Sequence, residues 1–316
     1  MVKVVVTGIP LDQKAASGNR NTKIFHADCY PYPEILRQKK YEMQGVVFLS
    51  ENQLALEKAD VVLCIDVTPD IFSRIKKLPA KIFKILQVKK SVLYDFFSHS
   101  LPVIQDPVWD VVLTWNRSFE AQDIIYYDIP MAGKSVLGLP DTLPESYMDF
   151  YECGVVIDSC KRHDHRGFVP ERNEFYKALS GSGAIDLYGN GWRNAPDAHQ
   201  FGEIDSKIDV MKKYSYALVV ENMRVQGYVT EKLADCILAG IPVIYFGDCY
   251  SAQKRFPDSF VPLPEISMKA FADCKRVIKE NYTSFYKSVR NCYRNSDDWS
   301  SSYTDALENA LKRFCK

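Results

Sequence analysis

Tyr214 to Asp248, YSYALVVENMRVQGYVTEKLADCILAGIPVIYFGD, is the stretch whose reading decides the fold. Tyr216 to Val220 is a short apolar run with a β-branched end, closed by the polar pair Glu221-Asn222, the profile of a strand buried in a parallel sheet. Met223 to Tyr228 has one glycine and no period, so it reads as a loop. Thr230 is a helix cap, and Glu231 to about Ala239 is a helix with Leu233, Ile237 and Leu238 on one face. Gly240 stops it, and Ile241 to Phe246 is a second buried strand ending in Gly247-Asp248. The stretch is therefore a βαβ unit whose loop leads into a helix N-terminus.

That terminus suits an anion, because its first N–H groups are unpaired and carry a partial positive charge. Lys232 in the first turn works against the helix dipole by a few tenths of a kcal/mol, a conflict that a bound phosphate removes. Glu231 favours the dipole and offers acceptors to sugar hydroxyls. Taken alone, the pair describes an ordinary capped helix start. The wider pattern changes that reading. ENxxxxxGYVTEK followed by AGIPVIYFG resembles the donor-binding signature of the α-1,3-fucosyltransferases, glycosyltransferase family 10. The similarity extends upstream through GVVIDSCKRHDHRGFVPERNEFYKALSGSGAIDLYGNGW (Gly154 to Trp192) and downstream through FPDSFVPLPE (Phe256 to Glu265). PVWDVVLTWNRSFEAQDIIYYDIP (Pro107 to Pro130) is similar to a further segment of that family, so the resemblance spans roughly Pro107 to Asn295.

The resemblance implies a GT-B fold, an α/β architecture of two Rossmann-like doubly wound domains facing a cleft. It implies transfer of L-fucose from GDP-fucose to a glycan hydroxyl with inversion, without a metal or other cofactor. Arg172, in PERNEFY, matches the diphosphate-binding arginine, Lys232 the phosphate lysine, and Glu231 the glutamate that engages the ribose. Asn222, Tyr228, Gly189 and Glu221 match positions around the donor. The chain departs from the pattern at one place. Family members carry a basic glutamate in the loop after the strand corresponding to Ile82–Val88, where this chain reads KILQVKKSV with Gln87 nearest. Glutamine takes no proton at neutral pH, so the candidate bases are Asp12, Asp66, Glu120 and Asp123. A transferase of the same fold using another nucleotide sugar, and an inactive nucleotide- or glycan-binding module, stay open as alternatives.

The rest of the chain fits two α/β domains. Its 316 residues are enough for both, and forty basic residues balance forty acidic ones, which argues against a nucleic-acid partner. Nine scattered cysteines without CxxC pairs point to reduced thiols, and no metal set is expected; His163 and His165 read as a solvated loop. No signal segment and no run long enough to span a bilayer is present, so the expected form is soluble and cytoplasmic, of a bacterial or viral type, with membrane contact at most peripheral. Strands are expected at Lys3–Thr7, Val46–Leu49, Val61–Val67, Ile82–Val88, Trp109–Trp115 and Ile124–Tyr127. Helical stretches are expected near Pro31–Met43, Glu51–Lys58 and Asp70–Lys77. These make an acceptor-side domain over residues 1–140. Gly138 to Tyr151 reads as a linker, residues 152–295 as the donor-binding domain, and 296–316 as a C-terminal helix. Trp109, Trp115, Tyr126 and Tyr127 are candidate sugar-stacking surfaces.

Overall fold

In the computed structural model, which describes residues 2–8, 46–120, 123–131, 133–135, 137–145, 149–160 and 164–314, two parallel sheets organise two separate units. The division falls between Pro130 and Met131, and the last helix returns to the first unit. The expected helix at Pro31–Met43, Asp12 and His163 lie outside the described residues.

The first unit carries β1 (Val2–Gly8), β2 (Val46–Ser50), β3 (Val61–Ile65), α1 (Pro69–Lys76), β4 (Phe83–Val88), α2 (Leu101–Ile104), β5 (Val111–Thr114) and β6 (Ile124–Tyr126). The sheet order is β2-β1-β3-β4-β5-β6, parallel at every junction. β-Branched runs buried on both faces form its centre, as a parallel sheet requires. The expected helix at Glu51–Lys58 is instead a turn with a short 3-10 segment at Leu56–Lys58. Glu51 accepts hydrogen bonds from Thr7 and from Arg74 of α1, which fixes the chain at the end of β2.

The second unit runs through β7 (Gly154–Ile157), α3 (Val169–Gly181), β8 (Ile185–Tyr188), β9 (Asn194–Ala195), β10 (Gln200–Gly202), α4 (Lys207–Met211), β11 (Ala217–Val220), α5 (Glu231–Ala239), β12 (Val243–Phe246), α6 (Cys249–Arg255), β13 (Phe260–Pro262), α7 (Met268–Glu280) and α8 (Tyr282–Arg294). Its order is β13-β12-β11-β7-β8-β10-β9, parallel except at the short β9–β10 pair. Phe175, Tyr176 and Leu179 of α3 and Phe271, Cys274 and Ile278 of α7 share one core cluster. Leu233, Ile237 and Leu238 of α5 join Val289, Cys292 and Tyr293 of α8 in another. α5 is buried from Leu233 to Ala239 and not on one face only, because α4 and α8 cover it as well as the sheet. The Gly138–Tyr151 stretch lies along this unit: Leu139 and Leu143 pack on its core, Phe150 stacks on Tyr216, and Tyr286 donates to Pro144 O at 2.9 Å.

The final helix, α9 (Ser301–Phe314), packs against β5 and β6 of the first unit. Its Tyr303 hydroxyl donates to Gln87 Oε1 at 3.0 Å, and its ring meets Tyr127 edge-on.

Candidate active site

The candidate site of the second unit lies at the carboxyl edge of its sheet, where open α/β folds place ligands. Two elements bring the cations there. α3 begins after Phe168, whose N–H donates to Asn222 O at 2.9 Å, and Arg172 sits one turn in, with 1% of its surface exposed. α5 carries Lys232 in its first turn. Both reach a residue that sequence reasoning passed over. Arg172 Nη1 lies 2.9 Å and Lys232 Nζ 2.8 Å from the same oxygen, Asp158 Oδ2, just past the end of β7. Arg172 also donates to Asn222 Oδ1 at 2.5 Å. Burial works against the Asp158 charge, but Lys232 and then Arg172 outweigh it and hold the carboxyl below its usual range. Arg172 is not the surface helix arginine that an isolated PERNEFY segment suggests. It is the buried arm of an ion triad.

The loop after β11 is pinned by carboxylates. Glu221 is fully buried and accepts from Thr230 N at 2.9 Å and from Thr230 Oγ1 at 2.9 Å, with Tyr245 hydroxyl at 3.3 Å. Burial pushes its pKa up, against the pull of Lys232 and the Thr230 bonds. Its oxygens are thus taken up in shaping the loop, and the positive end of α5 already faces a carboxylate. Asp248 Oδ2 accepts from Gly227 N at 2.7 Å and holds the far side. Tyr228 is buried within this loop, while Glu231 and Asn222 are half-buried.

Gly189 follows β8 with φ 126°, and a Cβ there would stand 2.1 Å from Asp158 O. Only glycine lets the two strand ends meet so closely beside the triad. On the side of α3 toward β12 and α7, a cavity of about 630 Å³ is walled by Phe168, Phe175, Phe246, Arg224 and Met268, with Glu171 and Glu265 among its lining.

The remaining expected residues lie in the first unit. Gln87 is fully buried in β4, tied to Tyr303, with its Nε2 lacking a hydrogen-bond partner among the described residues. Asp66 follows β3 at the carboxyl edge of that sheet with φ 49°. Its carboxylate accepts from Lys89 N at 2.7 Å and Lys90 N at 3.2 Å. Burial, opposed by those two bonds, raises its pKa to about 6. Glu120 is exposed in the β5–β6 connection, and Asp123 is exposed at the amino end of β6, 3.5 Å from Arg313. Trp109, Trp115 and Tyr127 are core residues with their polar atoms on backbone carbonyls, and Tyr126 is half-buried beneath Arg117.

A family model described as glycosyltransferase family 10 (fucosyltransferase), C-terminal part, matches residues 153–316, which include the whole ion triad. The chain belongs to that family. Among solved structures, this family 10 chain is similar to an α1,3-fucosyltransferase with GDP (TM-score 0.59, 15% identity, 99% of this chain and 89% of that one). It is similar to the α1,3-fucosyltransferase with GDP-fucose (0.56, 16%, 99% and 90%) and to an α-glucosyltransferase (AGT) in complex with UDP (0.54, 10%, 100% and 99%). At such identities the likeness shows the fold, which is GT-B. No helix among the described residues is long and apolar enough to cross a membrane.

Proposed function

We propose that this family 10 chain transfers L-fucose from GDP-fucose to a glycan hydroxyl with inversion and without a metal. The observation that carries this reading is the convergence of Arg172 and Lys232 on one carboxylate oxygen. Two cations preorganised on a 1⁻ anion keep an excess positive charge for a diphosphate. They stabilise the charge that grows on it as the glycosidic bond breaks, the task a metal performs elsewhere. Asn222 orients the arginine, Glu231 in the first turn of α5 would accept from the ribose as the family resemblance implies, and Gly189 lets the strand ends approach beside the triad. Guanine presents a ring N1–H and an N2 amine on one edge, two donors that one carboxylate can accept, and the cavity beside α3 offers Glu171 and Glu265 between aromatic walls. GDP should therefore bind at least tenfold, about 1.4 kcal/mol, more tightly than UDP or ADP by calorimetry in EDTA. A UDP preference would favour a transferase of another nucleotide sugar, and a strict need for Mn²⁺ or Mg²⁺ would sink the metal-free mechanism.

For the acceptor proton, the reading assigns Asp66. The loop after β4 has no acid of its own, yet Asp66 reaches the backbone of Lys89 and Lys90 from the end of β3. An acid 23 residues away in sequence is thus tied to the loop in which the family resemblance implies a glutamate. A carboxyl that titrates near 6 is ionised at neutral pH and still basic enough to take a hydroxyl proton in the transition state. Asp66→Asn should lower kcat by roughly 10²–10⁴-fold and abolish an acidic limb of the pH–rate profile near 6. Gln87→Ala should keep kcat while lowering Tm, because it removes the Tyr303 bond. An Asp66→Asn enzyme with normal kcat and an intact limb would hand the role to another group.

A further inference from the structure

We propose that Cys153, Asp186 and His199 form a binding site for a divalent transition-metal ion, of the zinc class, at the amino edge of the second sheet. Cys153 immediately precedes β7, Asp186 is the second residue of β8, and His199 immediately precedes β10. Their ligand atoms all lie within 4.8 Å of one another, with His199 Nδ1 2.6 Å from Asp186 Oδ1. Thiolate, imidazole and carboxylate are the three donor types that zinc takes, and three protein ligands leave one position for water. No spacing in the sequence displays this set, because its members come from three different strand starts.

Two features distinguish the cluster from a plain His–Asp pair. First, the second oxygen of Asp186 is already oriented: Tyr214 hydroxyl donates to Oδ2 at 2.6 Å and lies 2.8 Å from the Tyr188 hydroxyl. Outer hydrogen bonds of this kind fix a ligating carboxylate. Second, Cys153 and Asp186 are 7% and 8% exposed while the His199 side chain is 40% exposed, so buried ligands have an open path beside them. His199 is held with φ 52°, and its carbonyl accepts from Leu187 N at 2.9 Å, which anchors the ring's backbone to β8. Binding would release the Cys153 thiol proton to solvent and leave the imidazole proton on Nε2, with no change of oxidation state. β8 separates this site from the ion triad: Asp186 lies near its start, and Gly189 follows its end. The ion therefore has a structural part and takes none in sugar transfer, so this inference stands apart from the donor reading.

The test uses the full chain, stripped with chelator, with Zn²⁺ and Co²⁺ alone as probes and no nucleotide. Competition against a chromophoric chelator should show one equivalent of Zn²⁺ bound more tightly than about 10 μM, with a rise in Tm. The Co²⁺ form should show a thiolate charge-transfer band. Cys153→Ser should remove the band, His199→Ala should weaken binding about 100-fold or more, and Tyr214→Phe should weaken it about tenfold. Absence of stoichiometric binding by the unaltered chain overturns the proposal. So does a band and affinity that survive in Cys153→Ser and His199→Ala, because the metal then sits on other thiols.

Discussion

Arg172→Ala and Lys232→Ala are each expected to lower kcat by roughly 10²–10³, about 3–4 kcal/mol of transition-state stabilisation, with a smaller effect on donor KM. The diphosphate is more negative in the transition state than in the bound donor, so a cation facing it contributes most when the bond is breaking. The two variants should differ in stability. Lys232 keeps 15% of its side-chain surface in solvent, and its removal leaves Asp158 paired with Arg172. Arg172 is 1% exposed, so its loss opens a cavity and takes away the support of Asn222, and Tm should fall more. Arg172→Lys retains the charge and loses the planar guanidinium whose Nη1 meets both Asp158 and Asn222, so it should be impaired as well. The measurement is kcat and donor KM for GDP-fucose transfer, and for donor hydrolysis without acceptor, alongside a thermal melt. Lys232→Ala that melts normally and turns over normally would end the claim that this lysine carries the chemistry.

The β11–α5–β12 unit was legible because its signals are local. A valine-rich run, a threonine cap and a stop glycine fix Glu231–Ala239 without reference to anything distant. Most other strands were found for the same reason. What escaped depends on short elements or on contacts far along the chain. α6 has only seven residues and β13 three, too few to show a period. Asp158 reads as the polar end of a strand until Lys232, 74 residues later, is brought beside it. Glu221 reads as a pocket residue until Thr230 and Tyr245 are seen to take both its oxygens. Gln87 reads as the residue nearest to where the family resemblance implies a base, whereas its partner is Tyr303 on the last helix. A tertiary hydrogen bond leaves no periodic mark in sequence.

Asp158 is where the site and its stability meet, and Asp158→Asn should show both. The carboxylate is 11% exposed and neutralises an arginine and a lysine that otherwise repel each other within a few ångströms. Removing one partner from a buried ion set leaves an uncompensated charge and costs about 3–5 kcal/mol, so the free variant should melt well below the native chain. The pKa of Asp158 is depressed in the folded state, so the stability it contributes is present above the unfolded Asp value. It is lost as pH falls through the lowered folded value. The gap between the native chain and Asp158→Asn should therefore be full at neutral pH and close in strongly acidic solution. On the proposed function, a bound diphosphate would supply the missing anion. GDP should raise the melting temperature of Asp158→Asn more than that of the native chain, since it neutralises two cations no longer held by a carboxylate. Melts at several pH values with and without GDP decide the matter. If the variant stays within about 0.5 kcal/mol of the native chain, the usual range for a surface change, and GDP shifts both alike, then Asp158 is not the counter-ion that assembles this cradle.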